Sequence, residues 1–277
     1  MSRISRDLVQ YGFTPQKLFR RIAGGSSTGP KILLNSIPKS GTNLISRCLY
    51  LHPNIHRLIR RTLYQSHSKG RVHSAVSSIS PGSFQPAHLY FDKALQDCLL
   101  RSQCKQVLMI RNVWDIVVSR AHYIGAMDTR HYLAPAYAVC GSIDERIRLT
   151  ITGSSGHDLG EAVTPVPSIE ELIEPYLAWH DKSNTKVFMY ESLMGGNEQE
   201  PQLVRQQLTS LYEWLGIDAS AKLVEQISEQ VFSRDSKTFR SGGIGSPADY
   251  GHEKLYAAKL KHLDSKLFAM AGASMPC

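Results

Sequence analysis

Lys39, Ser40, Gly41, Thr42 and Asn43 follow closely on the apolar run Ile32-Leu33-Leu34, in the stretch Ile37-Pro-Lys-Ser-Gly-Thr-Asn43. A short buried strand ends here, a Pro and a Gly force a tight turn, and a helix is expected to begin near Thr42. That order gathers unpaired backbone N–H groups at a helix N-terminus, where they favour a phosphate. Lys39 adds a positive charge, and the hydroxyls of Ser40 and Thr42 add donors. The stretch is phosphate-loop-like but is not a Walker A loop. That motif needs Gly-x4-Gly-Lys-Ser/Thr, and here the Lys precedes the only Gly. The loop is therefore expected to hold a phosphate without the Ser/Thr-bound magnesium of an NTPase.

A second set of candidates lies at Arg111-Asn112, where another apolar run (Val107 to Ile110) ends, with Ser119 eight residues on in the next helix. In sheets of parallel strands, ligands sit beyond the carboxyl ends. An Arg at that edge can take a phosphate bidentately, with Ser119 as a further donor. The alternative for Arg111 is a pair with a carboxylate on its own helix, such as Asp115.

The elements that must position these groups follow from hydrophobic patterning. Strands are expected at Lys31–Ser36, Gln106–Ile110 and Lys186–Tyr190. Helices are expected at Thr42–Leu51, Tyr90–Arg101, Val113–Tyr123, Ile143–Thr150 and, after the capping-box pattern Ser168-Ile-Glu-Glu171, through Leu177, with Pro175 inside it. Three more helices are expected: one carrying Val204, Leu208 and Leu215, closed by Gly216; one over Ala219–Gln230; and one carrying Tyr256, Leu260, Leu263 and Leu267. Residues 53–86 read mostly as loop with a short helix. Residues 125–167 read as a lid on the acceptor side, residues 1–30 as a basic extension, and residues 233–251 as a polar Gly-rich loop. Alternating strands and helices argue for one α/β domain, residues 31–277, with a central parallel sheet and helices on both faces.

Composition narrows the function classes. The 277 residues are 42% apolar, enough for one sizeable domain. No apolar run of about 18 residues is present, so no membrane span is expected. The five cysteines are scattered and in no metal-ligand spacing, which points to a reduced, cytoplasmic setting and no metal. The net charge of +8 is uneven: residues 1–91 hold thirteen Lys/Arg and one acid. Such a balance suggests an anionic ligand, or a solvated basic face. The basic residues have no regularly interleaved aromatics, which argues against nucleic acid. Asp158, Glu161, Glu170 and Glu171 form an acidic group that would suit a cationic acceptor or simply solvated helix ends.

Together, the stretches Ile37 to Asn43 and Ile110-Arg-Asn-Val-Trp-Asp-Ile-Val-Val-Ser119 resemble, in order and spacing, the 5′-phosphosulfate loop and the 3′-phosphate motif of PAPS-dependent sulfotransferases (PAPS is 3′-phosphoadenosine 5′-phosphosulfate). Val187-Phe-Met-Tyr-Glu-Ser-Leu193 is similar to the family's Tyr-Glu-Asp-Leu strand end, and Phe239-Arg-Ser-Gly-Gly-Ile-Gly245 to its late Arg-Lys-Gly-x-x-Gly loop. The resemblance implies a P-loop-like sulfotransferase fold. It implies transfer of a sulfuryl group from PAPS to a small-molecule acceptor, leaving adenosine 3′,5′-bisphosphate. Lys39 would contact the bridging oxygen between phosphate and sulfate, and Ser40, Gly41, Thr42 and Asn43 would cradle the 5′-phosphate. Arg111 and Ser119 would hold the 3′-phosphate with Arg240, Ser241 and Gly242, and Tyr190 would sit by the adenine. The family commonly uses a His in a His-Leu context as base, and His88-Leu89 stands at the matching place, twenty-three residues before Arg111. A packing or acceptor-binding role is the alternative for His88.

Three departures stand out. Asn43-Leu44 replaces Thr-Trp, whose Trp stacks on adenine in the family, so stacking would come from elsewhere, Phe232 being one candidate, or be weaker. Pro86 replaces a Lys two residues before the His. Ser246-Pro247-Ala248 replaces Asp-Trp-Lys. Two other functions stay open at this level: a non-catalytic nucleotide or polyanion binder on the same fold, and an ATP-dependent P-loop kinase or nucleotidyltransferase.

Overall fold

The computed structural model of the chain describes residues 29–57, 61–155, 164–195, 200–231 and 252–272. Arg240, Ser241, Gly242, Phe232, Asp158 and Glu161 lie outside the described residues, as does nearly all of the basic extension.

Six strands form one parallel sheet: β1 (Lys31–Ser36), β2 (His56–Arg57), β3 (Leu63–Tyr64), β4 (Ser83–His88), β5 (Cys104–Ile110) and β6 (Thr185–Met189). Their order is β2-β4-β1-β5-β6, and β3 also pairs with β4. The helices are α1 (Thr42–Leu51), α2 (Lys69–Ser77), α3 (Lys93–Arg101), α4 (Val113–His122), α5 (Ala134–Ala138), α6 (Ile143–Thr152), α7 (Ile169–Leu177), α8 (Tyr190–Leu193), α9 (Pro201–Leu215), α10 (Ala221–Val231) and α11 (His252–Met270), with a turn of π-helix at Tyr123–Met127 after α4.

Strand alternation divides the core in two. Ile32, Leu34, Val107 and Met109 face α1, α9 and α10, while Leu33, Leu108 and Ile110 face α2, α3, α4, α7 and α11. Both faces of the sheet are thus covered, as the near-continuous apolar runs of β1 and β5 require. From β1 the chain builds outward to β2 and β4 on one side, then crosses to β5 on the other. The carboxyl ends of β4, β1 and β5 therefore flank the point where strand order reverses, the position at which such sheets hold ligands.

The short helix expected within residues 53–86 is present as α2, opened by Ser68 accepting from the Arg71 N–H at 3.4 Å. The rest of the stretch needs correction, because it also holds β4, which lies beside the central strand. Pro86 has no N–H to give, yet β4 tolerates it in mid-strand. The register shows how: β2 pairs only as far as Phe84 and β3 begins at Ala87, so among the described residues no strand pairs with the outer edge between them. The Gln85 side-chain amide fills that gap, donating to the carbonyls of Pro86 and Arg61, both at 2.9 Å. The helix expected from Tyr90 starts later, at Lys93, because Asp92 caps it by accepting from the Leu95 N–H at 3.1 Å. Residues 125–155 are largely helical and have a small core of their own, in which Ile124, Leu133, Tyr137 and Leu149 are buried with Val166. Ser168 and Glu171 form the expected capping box, and Gly216 closes α9 in the left-handed conformation.

The last helix docks through a buried acid. Asp264 accepts from the Val113 N–H at 2.8 Å and from the Asn112 side chain at 3.3 Å, at the N-terminus of α4. Burial, followed by the nearby Glu191 and Asp115 carboxylates, pushes the Asp264 carboxyl up to about 7, against the pull of the Val113 N–H. A carboxyl raised on folding stabilises most at acid pH, and the contribution is lost as pH rises towards 7. Asp264→Asn should therefore gain melting temperature relative to the parent as pH increases from 5 to 8. A difference that stays constant across that range would contradict this account.

Candidate functional site

Lys39, His88, Arg111 and Tyr190 come from four different strand ends and share one edge of the sheet. The loop after β1 turns tightly: Lys39 has φ 75° and Gly41 φ 98°, both left-handed. That conformation is strained for Lys, a cost of order 1–3 kcal/mol that the surrounding structure must hold. For Gly41 it is also a matter of space. A Cβ there would lie 2.4 Å from Cδ2 of Tyr190, so only glycine lets the loop approach that ring.

Ser40 is buried, and its hydroxyl lies 2.7 Å from the Ile37 carbonyl and 2.8 Å from that of Met109. It pins the turn to β5 rather than presenting a donor outward. Gly41 is the N-cap residue of α1, and no side chain caps the helix. Its first N–H groups lack intrahelical partners, as at any helix start, and the positive end of the helix faces the loop. Asn43 is half-buried in that first turn. The Thr42 hydroxyl is 2.7 Å from that of Ser36.

Lys39 is electrostatically crowded. Its ammonium sits 3.8 Å from the centre of the Tyr123 ring, on the π-helical turn. Burial, then the Arg111 guanidinium, lower its pKa from 10.5 to about 8, with Asp128 acting in the opposite direction. Asp128 also accepts from the Tyr123 hydroxyl at 3.0 Å. Arg111 lies 4.2 Å over the Tyr190 ring and 3.3 Å from the Asp115 carboxylate, so the pair anticipated from spacing is present. Ser119 is half-buried two turns further along α4. Tyr190, expected beside an adenine, forms a wall between Gly41 and Arg111.

His88 ends β4 with its Nδ1 2.7 Å from the Ser36 carbonyl oxygen and 3.2 Å from the Ser36 hydroxyl. A carbonyl only accepts, so Nδ1 carries the hydrogen and the neutral ring keeps its lone pair on Nε2. Burial holds its pKa below the usual 6.5 despite the Ser36 bond, and Lys39 adds to the lowering. The ring is therefore a neutral base at physiological pH. Its backbone is anchored by Asn35, whose Oδ1 accepts from the N–H groups of Ser36 (3.0 Å) and Leu89 (2.9 Å) while Nδ2 donates to the Leu89 carbonyl (2.8 Å). The Trp179 indole donates to the same carbonyl at 3.2 Å.

Sequence reasoning missed Asn35, Ser36, Tyr123 and Asp264. Asn35 carried a signal, being a polar residue at the end of an apolar strand. Asp264 did too, as an acid beside the apolar positions Leu260, Leu263 and Leu267. Tyr123 carried none, because its role depends on the π-turn. Among the described residues no group of His, Cys, Asp and Glu could hold a metal ion, and no helix is long and apolar enough to cross a membrane.

Comparison with known proteins gives one family. A model of the sulfotransferase domain matches residues 29–243. No curated protein sequence is matched. The fold is similar to mouse sulfotransferase SULT7A1 complexed with PAP, at a TM-score of 0.58 and 17% identity, over 91% of this chain and 93% of that one. It is also similar to a retinol dehydratase in complex with androsterone and the inactive cofactor PAP, at 0.55 and 14% identity, over 88% and 82% of the two chains.

The Asn35 bridge predicts a measurable cost. Asn35→Ala leaves the buried Leu89 N–H without its acceptor, which should lower stability in urea denaturation by about 1–3 kcal/mol. Unchanged stability would show that the bridge does not anchor the end of β4.

Proposed function

The chain belongs to the sulfotransferase domain family, and on that premise we propose that the site moves a sulfuryl group from PAPS to a hydroxyl or amine of a small molecule, leaving adenosine 3′,5′-bisphosphate. The observation that carries this reading is a pair of groups on adjacent strand ends. One is a neutral imidazole with Nε2 as its basic atom, and the other an ammonium crowded by a second cation. Around them lies a helix start with no side-chain cap. The fold relatives complexed with PAP support the same donor.

The residues fit an anionic donor. The Arg111 guanidinium disfavours the charged form of Lys39, and a phosphate between them would reverse that. The N–H groups of Gly41, Thr42 and Asn43 would hold the 5′-phosphate, with Ser40 fixing the turn. Arg111 and Ser119 would hold the 3′-phosphate, joined by Arg240, Ser241 and Gly242, and Tyr190 would lie beside the adenine. When bound, PAPS supplies an activated sulfuryl group: a bond forms from the acceptor atom to sulfur as the bond from sulfur to the bridging oxygen breaks, its electron pair staying on that oxygen. His88 Nε2 takes the acceptor's proton, making a weak nucleophile competent. Lys39 places its charge where negative charge grows on the leaving oxygen, which stabilises the transition state more than the ground state. Residues 125–167, with 53–86, would line the acceptor side. The reduced thiols of Cys48, Cys98 and Cys104, all buried, support a cytoplasmic setting, and a role in specialised metabolism belongs to the same reading.

Lys39→Ala should lower sulfated product, measured by mass spectrometry, by about 10²–10³-fold while the protein stays folded. Full activity in that variant would sink the mechanism. The pH profile carries a second test. His88 must be neutral, so the acid limb should lie below 6.5. Lys39 must be protonated, so kcat/KM for the donor should fall above about 8. Lys39→Arg should shift the alkaline limb upward, because a guanidinium stays charged. An unmoved limb would assign it to another group.

A further inference from the structure

Ser36 closes β1 and is fully buried, so its hydroxyl acts through other groups or not at all. Among the described residues, two side chains lie within hydrogen-bond reach of it. The Thr42 hydroxyl, at the first residue of α1, is 2.7 Å away, and His88 Nδ1 is 3.2 Å away. A hydroxyl has one hydrogen to give and two lone pairs to offer. The direction in which the hydrogens run is therefore decided at the end where a partner has no choice.

That end is His88. Its Nδ1 lies 2.7 Å from the Ser36 carbonyl oxygen, which only accepts, so Nδ1 carries a hydrogen. Toward that N–H the Ser36 hydroxyl oxygen can only accept as well. Its own hydrogen then goes to the Thr42 hydroxyl oxygen, the acceptor left to it among the described residues. Thr42, having accepted, must turn its own hydrogen elsewhere, and among the described residues no acceptor takes it. The donors thus all run one way, from His88 Nδ1 through Ser36 to Thr42. The last hydrogen is left at the start of α1, where no side chain caps the helix and the backbone N–H groups also lack intrahelical partners.

We propose that Ser36 is a positioning residue: its hydroxyl directs this chain so that Thr42 donates to the 5′-phosphate of the bound donor, and the phosphate in turn tightens the hold on His88 Nδ1–H. Hydrogen bonds in series polarise one another, and a charged acceptor makes the stronger bond. A phosphate drawing on the Thr42 hydrogen makes the Thr42 oxygen a better acceptor for Ser36, and Ser36 a better acceptor for Nδ1–H. An imidazole held more firmly at Nδ1–H is more basic at Nε2. No proton changes owner along the chain. The base gains strength when the donor arrives, and not before. The inference rests on the sulfotransferase reading for the donor and for the role of His88. Lys39, which opposes protonation of His88, and the Tyr64 ring, 5.5 Å away, also face the imidazole. A phosphate that offsets the Lys39 charge acts on His88 through space, so the test must separate that effect from the chain.

The test is NMR of protein carrying isotope-labelled histidine, before and after saturation with adenosine 3′,5′-bisphosphate at neutral pH. The His88 signal is identified by its loss in His88→Asn. Binding should move the His88 Nδ1–H proton downfield in the parent. Thr42→Val, which keeps the backbone N–H and the side-chain shape, and Ser36→Ala should each lose most of that move, whereas Thr42→Ser should keep it. What remains in Thr42→Val is the through-space part. Calorimetry supplies a second readout, because coupling is reciprocal. Ser36→Ala should weaken binding of adenosine 3′,5′-bisphosphate by about threefold to tenfold, although the residue touches no ligand. A move in Thr42→Val as large as in the parent, its loss in Thr42→Ser, or parental affinity in Ser36→Ala would overturn the inference and leave the sulfotransferase reading standing. If Ser36→Ala does not fold, the two Thr42 variants decide. No binding of adenosine 3′,5′-bisphosphate to the parent would overturn that reading, and the inference with it.

Discussion

Two cations held together at the carboxyl edge of one sheet are the constraint on which the rest of this structure turns. Lys39 and Arg111 come from the loops after β1 and β5, and burial, followed by the Arg111 guanidinium, disfavours the charge on Lys39. The fold contains the conflict without resolving it: Asp115 steadies Arg111, the Tyr123 face receives the Lys39 ammonium, and Asp128 offers a distant counter-charge. None of these neutralises the edge, and the uncapped start of α1 adds to the positive potential. In the proposed function, this positive edge receives an anion with more than one negative group.

The same edge explains the strained loop and its glycine. The left-handed turns at Lys39 and Gly41 bring the backbone against the Tyr190 ring and point the helix start toward the site. The strand order then brings β4 next to β1, so that the carbonyl of Ser36 fixes the tautomer of His88. The Ser36 hydroxyl also touches Thr42, so a short chain of hydrogen bonds links the loop at residues 37–43 to His88. In the proposed mechanism, positioning of donor and base is thus one structural problem, placed where three parallel strands end.

What could be seen in the sequence was what is local. The loop at residues 37–43, the Arg111–Asp115 spacing and the capping box each sit within a few consecutive residues, and the structure has them where spacing placed them. The apolar runs of β1 and β5 declared a doubly covered sheet. Strand β4 was hidden because Ser-Phe-Gln-Pro-Ala-His has neither alternation nor an apolar run, and Pro86 argues against a strand. It is legible only once β2 and β3 are known to leave its outer edge open at that residue. Lys39 over Tyr123 was hidden because a π-turn, not helical spacing, sets the ring.

The central claim, that the crowded Lys39 ammonium is completed by a bound phosphate-bearing ligand, is tested most directly by proton uptake. Adenosine 3′,5′-bisphosphate would be titrated into the protein at pH 8 by calorimetry in buffers of different ionisation enthalpy. With the Lys39 pKa near 8 in the free protein, binding should raise it and draw up to about half a proton from the buffer, an uptake that Lys39→Arg should remove. Tight binding with no proton linkage, or no binding at all, would contradict the account.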